Sequence, residues 1–480
     1  MASATSAPRT GPTPPGPPAD TLPTRAMRLF GGRRDQLAQF DELFSAYGDI
    51  VFTGRGKSSF LLIRRPEHVE HVLIGGSGRY VKAAHYRLLA TVTGQGLLTN
   101  EGDSWAAQRR LMQPMFAKRH LGDLGAHMVA AIDDHLAGWD DLPDGSTVEI
   151  SEAMSALALD VVGRALFGTS LSGIAGRLRP AVLVGLDTAI TAARLQSVFT
   201  IPPGLVDLIG QAVFRAPVLP PPLHRIRHAM RTIDDVVNEV IDARVAEGDN
   251  GRMAEDSRAR TDDLLGLLLS ARDDEDRPMD RRQVRDEIVT LMLAGHETTA
   301  NGLAWMWHLL SRHHEARERM LDEVDAVVGR ERRPDVDAVD ALPWTKACFD
   351  EAMRLYPPAW VLEREAVVDD EIDGFRIPQG TTVFIPVFAI HRDPRWWPDP
   401  EAFDPARFLP DAKVTRGSYL PFGAGRRICI GAAFAQLEAT LITAAVSSRF
   451  LLDGVRDHVD PEPTVTLRPR QGLPMTLRRR

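Results

Sequence analysis

Residues 421–431 have the sequence P-F-G-A-G-R-R-I-C-I-G, the most informative pattern in the chain. Gly423, Gly425 and Gly431 allow positive φ angles and a close approach of the backbone to a flat ligand. Cys429 stands at the start of an apolar stretch with helical character, A-A-F-A-Q-L-E-A-T-L-I-T-A-A-V. Amide N–H groups at a helix start lower the pKa of a thiol, so this position favours a metal-ligating thiolate. The residues alone leave one alternative open, a buried and inert cysteine in an ordinary glycine-rich turn.

The whole segment resembles the haem-binding loop of the cytochrome P450 family. Six matched residues are expected by chance in a chain of this length with a probability on the order of one in a hundred thousand. The resemblance implies that Cys429 is the axial ligand of a b-type haem, to whose iron the thiolate donates electron density. The residues at the family's positions in this loop are Phe422, Gly423, Gly425, Arg427, Cys429 and Gly431.

A carboxylate and a guanidinium, Glu351 and Arg354, stand three residues apart on a predicted helix that ends before a Tyr-Pro-Pro sequence. Such a pair is usually a solvated surface bridge worth a few tenths of a kcal/mol. The cytochrome P450 family has an E-x-x-R pair of this form, completed by an arginine in a later P-x-R-F segment, here Arg407. The resemblance implies that the three residues form a structural network that holds the haem-side core.

Residues 280–313 keep helical periodicity without a proline, which predicts a long helix that crosses the core. Ala294 and Thr298 share one face of it, and Gly295 removes a side chain beside them, so we expect a small groove that contains one hydroxyl. The alternative is that Thr298 donates to its own i−4 carbonyl and that its acidic neighbour is merely solvated.

This segment, A-G-H-E-T-T, resembles the family's oxygen-activation motif, an acid followed by an alcohol that delivers protons through water. The resemblance implies that Glu297 and Thr298 are catalytic and that Ala294 faces the cofactor. His296 has no second ligand at metal spacing, so we expect a structural role for it.

Haem carries two propionates, so the chain should supply cationic and donor groups for them. Trp105 and Arg109 resemble the family's W-x-x-x-R helix, whose indole N–H and guanidinium face one propionate. Arg427, Arg364 and Lys82 stand where family members place further partners. The alternative is that Trp105 belongs to the core and that the cations are surface charges.

Composition describes a soluble globular protein: 480 residues, 44% hydrophobic, 25% charged, with a net charge of −8 that argues against nucleic-acid binding. We expect a mainly α protein with small β-sheets, a cytochrome P450 fold in one large domain. A disordered Pro-rich tail should cover residues 1–24 and the domain residues 25–480. Strands are predicted within residues 49–63, 364–385 and 464–477.

The termini and the apolar segments indicate a cytoplasmic protein. No basic start, apolar signal segment or membrane span is found, and the resemblance then implies a bacterial-type member without a membrane anchor. Cys348 is predicted to be a buried core residue.

The resemblance implies a haem-thiolate monooxygenase that inserts one atom of O₂ into a lipophilic molecule, with a separate ferredoxin or flavodoxin and a reductase as electron donors. We expect a monomer. A fatty acid, a terpenoid or a polyketide would fit an apolar pocket. A haem-thiolate isomerase, dehydratase or peroxygenase is one alternative, and a haem protein that only binds gas or transfers electrons is another.

Two surfaces are expected from the same resemblance. Exposed cations near the haem loop should attract an acidic electron donor. The pocket should be lined from residues 83–98, 196–208, 359–362 and 473–475. The cations are Arg110, Lys118, Arg119 and Arg426, and the apolar candidates for the pocket are Phe199, Ile201, Leu205, Trp360 and Val361. The alternatives are that these cations are ordinary solvated charges and that the apolar residues belong to the core.

Overall fold

Helices dominate the computed structural model, which confirms the expected mainly α fold with small sheets. It describes residues 11–17, 36–53, 60–83, 85–171, 173–174, 176–178, 180–182, 184–185, 188, 221–249, 263–272, 277–330 and 332–480. The α-helices are α1 (Gln36–Tyr47), α2 (Pro66–Glu70), α3 (His85–Thr93), α4 (Gly102–Met112), α5 (Lys118–Asp140), α6 (Ile150–Phe167), α7 (Pro221–Asp249), α8 (Leu264–Ser270), α9 (Arg281–Arg312), α10 (His314–Val327), α11 (Pro343–Leu355), α12 (Val387–Ile390) and α13 (Ala432–Arg449). A π-helical turn spans His71–Gly75, and 3₁₀ turns span Gln113–Phe116, Val336–Ala341, Pro405–Phe408 and Gly425–Arg427.

The strands form one five-stranded sheet and three smaller ones. The order in the large sheet is β1-β2-β8-β5-β3, with β2 and β8 parallel and the other neighbours antiparallel. A second sheet has the order β4-β12-β9, and β6-β7 and β10-β11 are two-stranded. The strands are β1 (Ile50–Thr53), β2 (Phe60–Ile63), β3 (Tyr80–Val81), β4 (Thr147–Glu149), β5 (Leu362–Ala366), β6 (Asp370–Ile372), β7 (Phe375–Ile377), β8 (Thr382–Ile385), β9 (Phe450–Gly454), β10 (Pro461–Pro463), β11 (Leu467–Pro469) and β12 (Pro474–Arg479).

The long helix α9 crosses the core as predicted. It begins after Asp280, whose side chain accepts the N–H of Arg282 at 3.4 Å, and its residues 300–310 are all buried. A helix that is buried on every side belongs to the centre of a large core. Although α9 has 32 residues, no helix in the described part of the chain is long and apolar enough to cross a membrane.

Gly295 serves the packing of α9 rather than the groove predicted beside Ala294. A Cβ at Gly295 would lie 2.8 Å from a methyl carbon of Val162 on α6. The glycine therefore allows α6 and α9 to approach each other closely, and the prediction that it widens the space beside Thr298 is wrong.

Residues 11–17 of the Pro-rich tail lie against the sheet. The N–H of Phe52 in β1 donates to the carbonyl of Pro15 at 2.8 Å, and the N–H of Arg376 in β7 donates to that of Pro12 at 3.0 Å. A proline lacks an N–H donor but keeps its carbonyl, so this segment can satisfy donors of neighbouring strands. The remaining residues up to 24 lie outside the described part of the chain.

Candidate functional site

The loop that precedes α13 places Cys429 on a tightly folded backbone. Gly423 and Gly425 have φ angles of +70° and +71°. A Cβ at Gly425 would lie 1.9 Å from the carbonyl oxygen of Leu73, so only glycine fits against the π-helical turn there. The N–H of Cys429 donates to the carbonyl of Phe422 at 2.9 Å, which closes the loop.

The Cys429 thiol is accessible at the protein surface although protein atoms surround it closely. Burial raises the pKa of the Cys429 thiol, while the N–H of Gly431 and the guanidinium of Arg109 act in the opposite direction. The N–H at the helix start therefore acts in the expected direction, but burial outweighs it. The protein supplies only part of the stabilisation of a thiolate, and a bound metal cation would supply the rest.

Trp105 and Arg109 of α4 lie against the cysteine loop. Arg109 Nη1 donates to the carbonyl of Ile428 at 2.8 Å. The Arg427 guanidinium stacks on the Trp105 ring, 3.6 Å from its centre, and Arg426 lies 5.7 Å from the same ring centre. The structure thus brings the W-x-x-x-R helix and the cysteine loop together.

Lys82 and Arg427 are held by the chain segment that precedes α4. Lys82 Nζ donates to the carbonyl of Leu98, and Arg427 Nη1 donates to that of Asn100 at 3.0 Å. Glu101 accepts the Lys82 N–H at 2.8 Å and forms an ion pair with Arg427. Sequence reasoning missed Glu101, whose only local signal is its position before the tryptophan helix.

The same cations raise the electrostatic energy of one another. Burial, followed by the charges of Arg427 and Arg364, holds the pKa of Lys82 well below its usual range. Burial likewise lowers the pKa of Arg427 to about 10, against the opposing effect of Glu101. Arg364 is buried in β5, where its guanidinium donates to the carbonyl of Glu363 at 2.8 Å.

This cluster fits the carboxylates of haem. Its cations outnumber the acids Glu101 and Glu363, so the group carries a net positive charge in a partly desolvated region. Added carboxylates would relieve that repulsion. Tyr86 of α3, which the sequence did not single out, lies among the same charges with the Lys82 ammonium 4.5 Å from its ring centre.

On α9, Thr298 Oγ1 donates to the carbonyl of Ala294 at 2.6 Å, the arrangement that the sequence left as the alternative. Glu297 Oε1 accepts a bond from Thr466 Oγ1 at 2.8 Å, and Thr466 in turn accepts from Asn301 Nδ2 at 3.1 Å. The carboxylate of Glu297 is therefore fixed rather than merely solvated. Thr466 follows β10, far away in sequence, and no local pattern pointed to it.

A cavity of about 330 Å³ opens beside Glu297, between α9, the start of α6 and the β10-β11 region. Its charged lining consists of Glu149, Glu152, Glu297, Glu462 and Arg468. A polar space of this size has room for water, which bridges buried polar groups effectively.

His296 also lines this cavity. The side chain is buried, and its Nδ1–H donates to the carbonyl of Met292 at 2.5 Å. Within the described ranges of the chain, no group of three or more His, Cys, Asp or Glu side chains could hold a metal ion.

The E-x-x-R network is fully buried. Arg354 donates to both oxygens of Glu351 at 2.6 and 2.7 Å, and also to the carbonyls of His391, Pro400 and Ala402. Arg407 lies 3.5 Å from Glu351, whose carboxylate also accepts the N–H of Asp404 at 2.9 Å. The prediction of a structural network, not a surface bridge, matches this geometry.

The apolar residues expected to line a pocket lie elsewhere or outside the described part. Trp360 packs with Leu37, Phe388 and Leu467, and its Nε1–H donates to the carbonyl of Thr464 at 2.9 Å. Val361 packs against the same cluster, so these two residues belong to a side core. The other three candidates, Phe199, Ile201 and Leu205, lie outside the described residues.

Comparisons with known proteins place this arrangement in context. The family model "Cytochrome P450" matches residues 14–474. The chain is 42% identical over 423 residues to "Putative cytochrome P450 132" of Mycobacterium tuberculosis strain CDC 1551 / Oshkosh, covering 88% of each chain. It is 33% identical to cyclooctatin synthase of Streptomyces melanosporofaciens, over 95% of this chain and 92% of that one.

A solved structure agrees with the fold. The crystal structure of the cytochrome P450DA heme domain superposes with a TM-score of 0.82 at 24% identity, covering 98% of both chains. At this identity the likeness concerns the fold alone.

The two cysteines provide a direct test of the axial ligand. We expect Cys429→Ser to lose the absorption band at about 450 nm of the reduced protein under carbon monoxide, because that band requires a thiolate ligand. Cys348 is fully buried in α11, where burial raises the pKa of its thiol well above the usual range. The matched control Cys348→Ala should keep the band, and a normal band in Cys429→Ser would contradict the assignment.

Proposed function

We propose, because the chain belongs to the cytochrome P450 family, that this haem b monooxygenase inserts one oxygen atom from O₂ into a terpenoid-type molecule. The observation that carries the site assignment is the glycine loop of Cys429, which packs against Trp105 and Arg109 beside a cluster of cations. Location in the cytoplasm, a monomeric state and a separate reductase stay predictions.

Three kinds of residue would hold the cofactor. Cys429 would bind the iron, while Trp105, Arg109, Arg364, Arg427 and Lys82 would hold the two propionates. When bound, haem would activate dioxygen, of which one atom enters the substrate and the other leaves as water with two electrons from the redox partner and two protons. Gly423 and Gly431 would let the backbone approach the ring, since a Cβ at either position would meet protein atoms no closer than 3.7 Å.

Protons for the reaction would pass through Glu297 and Thr298. The Thr298 hydroxyl donates its proton to Ala294 O, so its lone pairs remain available to accept from water. Glu297 lines the polar cavity, and Thr298 is the next residue in the sequence. We propose that Glu297 takes protons from water in this cavity and that water carries them on to the Thr298 hydroxyl.

Removal of the Thr298 hydroxyl tests this role. We expect Thr298→Ala to bind substrate and accept electrons normally but to yield about tenfold less product per electron, with the difference released as hydrogen peroxide. Thr298→Ser, which keeps the hydroxyl, should retain most of the coupling. A wild-type ratio of product to electrons in Thr298→Ala would exclude the proton role.

The names of relatives support the substrate class. They include a cyclooctat-9-en-7-ol 5-monooxygenase, 32% identical over 419 residues, and a pentalenene oxygenase, 31% identical over 440 residues, both from Streptomyces species. Each covers more than four fifths of this chain. We propose a terpenoid rather than a fatty acid or a polyketide on this basis.

A binding screen by the shift of the haem absorption band separates these classes. We expect cyclic terpene hydrocarbons and their mono-alcohols to bind at least about tenfold more tightly, ~1.4 kcal/mol, than fatty acids or macrolactones of similar size. Tighter binding of either other class would reject the terpenoid proposal and leave the monooxygenase assignment intact.

The electron donor is proposed to dock where Arg110, Arg119 and Arg426 are exposed. The side chain of Lys118, the fourth predicted cation, lies outside what the structure describes. Two large apolar side chains are exposed nearby, Ile428 in the cysteine loop at 43% and Ile74 beside Gly425 at 38%. Exposed cations together with exposed apolar side chains suit an acidic ferredoxin or flavodoxin.

Charge reversal tests this face. Arg110→Glu and Arg119→Glu should slow haem reduction by an acidic ferredoxin at low salt and weaken its salt dependence, because the Debye length is only about 10 Å at 0.1 M. Reduction by dithionite should not change. Arg231→Glu, an exposed arginine on α7, is the control. Equal ferredoxin rates in all variants would place the docking site elsewhere.

A further inference from the structure

Two adjacent carboxylates of α9, Asp286 and Glu287, hold the loop of residues 94–99 between α3 and α4. Asp286 Oδ2 accepts the backbone N–H of Gln95 at 2.8 Å, and Glu287 Oε2 accepts that of Leu97 at 2.9 Å. Both carboxylates are buried. Because this loop has no strand partner for its N–H groups, the two side chains act as its hydrogen-bond acceptors.

Glycines let the loop lie directly on α9. A Cβ at Gly94 would lie 2.0 Å from the carboxyl carbon of Asp286, and one at Gly96 would lie 2.1 Å from Thr290 Oγ1. Gly94 also has a φ angle of +69°, which other residues rarely adopt. The loop is therefore shaped to dock on this part of the helix.

Residues 98–101, at the end of this loop, bind two cations of the proposed haem site, Lys82 and Arg427. Leu98 O accepts from Lys82 Nζ, and Asn100 O accepts from Arg427 Nη1. Glu101 accepts the backbone N–H of Lys82 and forms an ion pair with the Arg427 guanidinium.

Internal bonds join the two ends. Thr99 Oγ1 donates to the carbonyl of Gly94 at 2.6 Å, and Gln108 Nε2 of α4 donates to that of Gln95 at 3.0 Å. Asn100 Nδ2 donates to Gln108 Oε1 at 2.9 Å. A displacement of the loop from α9 would therefore reach the residues that hold Arg427.

We infer that Asp286 and Glu287 are positioning residues for haem retention, which act through residues 94–101 to keep Lys82 and Arg427 in place. This inference rests on the proposed role of those two cations as propionate partners. It assigns a function to two carboxylates whose hydrogen bonds go to the 94–99 loop and to Arg285.

Glu287 also makes this attachment sensitive to pH. Its Oε1 has no hydrogen-bond partner among the described residues, and burial raises its pKa to about 7, with Asp286 acting in the same direction and the Leu97 N–H against it. Asp286 is bonded to Arg285, which also pairs with Asp234 of α7, and the 94–99 loop contains no titratable side chain.

Ionisation of Glu287 opposes the attachment of the loop to α9, because its carboxylate is buried there. The folded-state pKa lies above the ordinary glutamate value of 4.5, so the stabilising effect of the protonated form is lost as pH rises from about 4.5 through 7. The attachment should therefore weaken as the pH rises to about 7 and change little above that, so that it is weaker at pH 8 than at pH 6. Glu287→Gln keeps an acceptor for Leu97 without a charge and should remove this dependence.

Two measurements on the haem-loaded protein test the inference: hydrogen exchange of the peptide that contains residues 94–98, corrected for intrinsic rates, and the rate of haem transfer to apomyoglobin. Glu287→Leu should accelerate both by about tenfold at pH 8, because a buried N–H loses its partner. Glu287→Gln should match or fall below the wild-type rates at pH 8 and show no rise from pH 6. Arg282→Leu, at an exposed position near the start of the same helix, is the control and should match wild type.

The outcomes separate the inference from the proposed function. Arg427→Gln should accelerate haem transfer directly, and failure to do so would reject the propionate role itself. If Arg427→Gln accelerates transfer but Glu287→Leu changes loop exchange alone, the inference fails while the haem site stands. If Glu287→Leu does not fold, identical pH slopes of haem transfer in wild type and Glu287→Gln would overturn the inference.

Discussion

Like charges repel most strongly where water is excluded, and this protein gathers Lys82, Arg364 and Arg427 into one partly desolvated group. Their lowered pKa values show the cost in the cases of Lys82 and Arg427. Glu101 offsets only part of it. The surrounding segments hold these cations with the carbonyls of Leu98, Asn100 and Glu363 and with the carboxylate of Glu101. Under the proposed function, the haem carboxylates would offset more of this repulsion. Haem binding and the stability of this region should accordingly be coupled.

A second group of buried charges, the ion pair of Glu351 and Arg354, fixes α11 to residues 391–404. Glu351 and Arg354 are completely buried, yet every polar atom of the pair has a backbone or side-chain partner nearby. Burial raises the pKa of Glu351 while the Arg354 bonds oppose that shift, so the pair is stable only as a unit. Loss of one member would leave a buried charge without compensation. The network thus fixes α11 to the segment around Pro405, and this is a structural function that requires no contact with substrate.

The structural features that the sequence predicted correctly are those formed by residues close to one another in the chain. The glycine-cysteine loop, the i,i+3 pair of Glu351 and Arg354 and the extent of α9 each depend on residues within a few turns of one another. Contacts between distant segments were not predictable: Thr466 binds Glu297 across 169 residues and Leu97 binds Glu287 across 190. Gly295 shows the same limit, because its sequence neighbours suggested a groove whereas its partner Val162 lies on another helix. Burial also changed the sign of the pKa shift expected for Cys429, since desolvation is a property of the whole fold.

The π-helical turn at His71–Gly75 illustrates how a remote carboxylate can govern the cysteine loop. Asp370 is fully buried and accepts bonds from His71, Arg79 and Tyr80, the residues that flank this turn. Burial opposes its ionisation, but the His71 and Tyr80 bonds hold the pKa of Asp370 below its usual range. The turn is thereby fixed at both ends, and its Leu73 carbonyl sits where Gly425 must pass without a side chain. A wider helical turn that inserts one residue is a common way to redirect a backbone at a functional site. In this protein the π-helical turn packs against the cysteine loop at Gly425. The position of Cys429 therefore depends on Asp370 of β6, which holds the turn, as well as on the glycines of the loop.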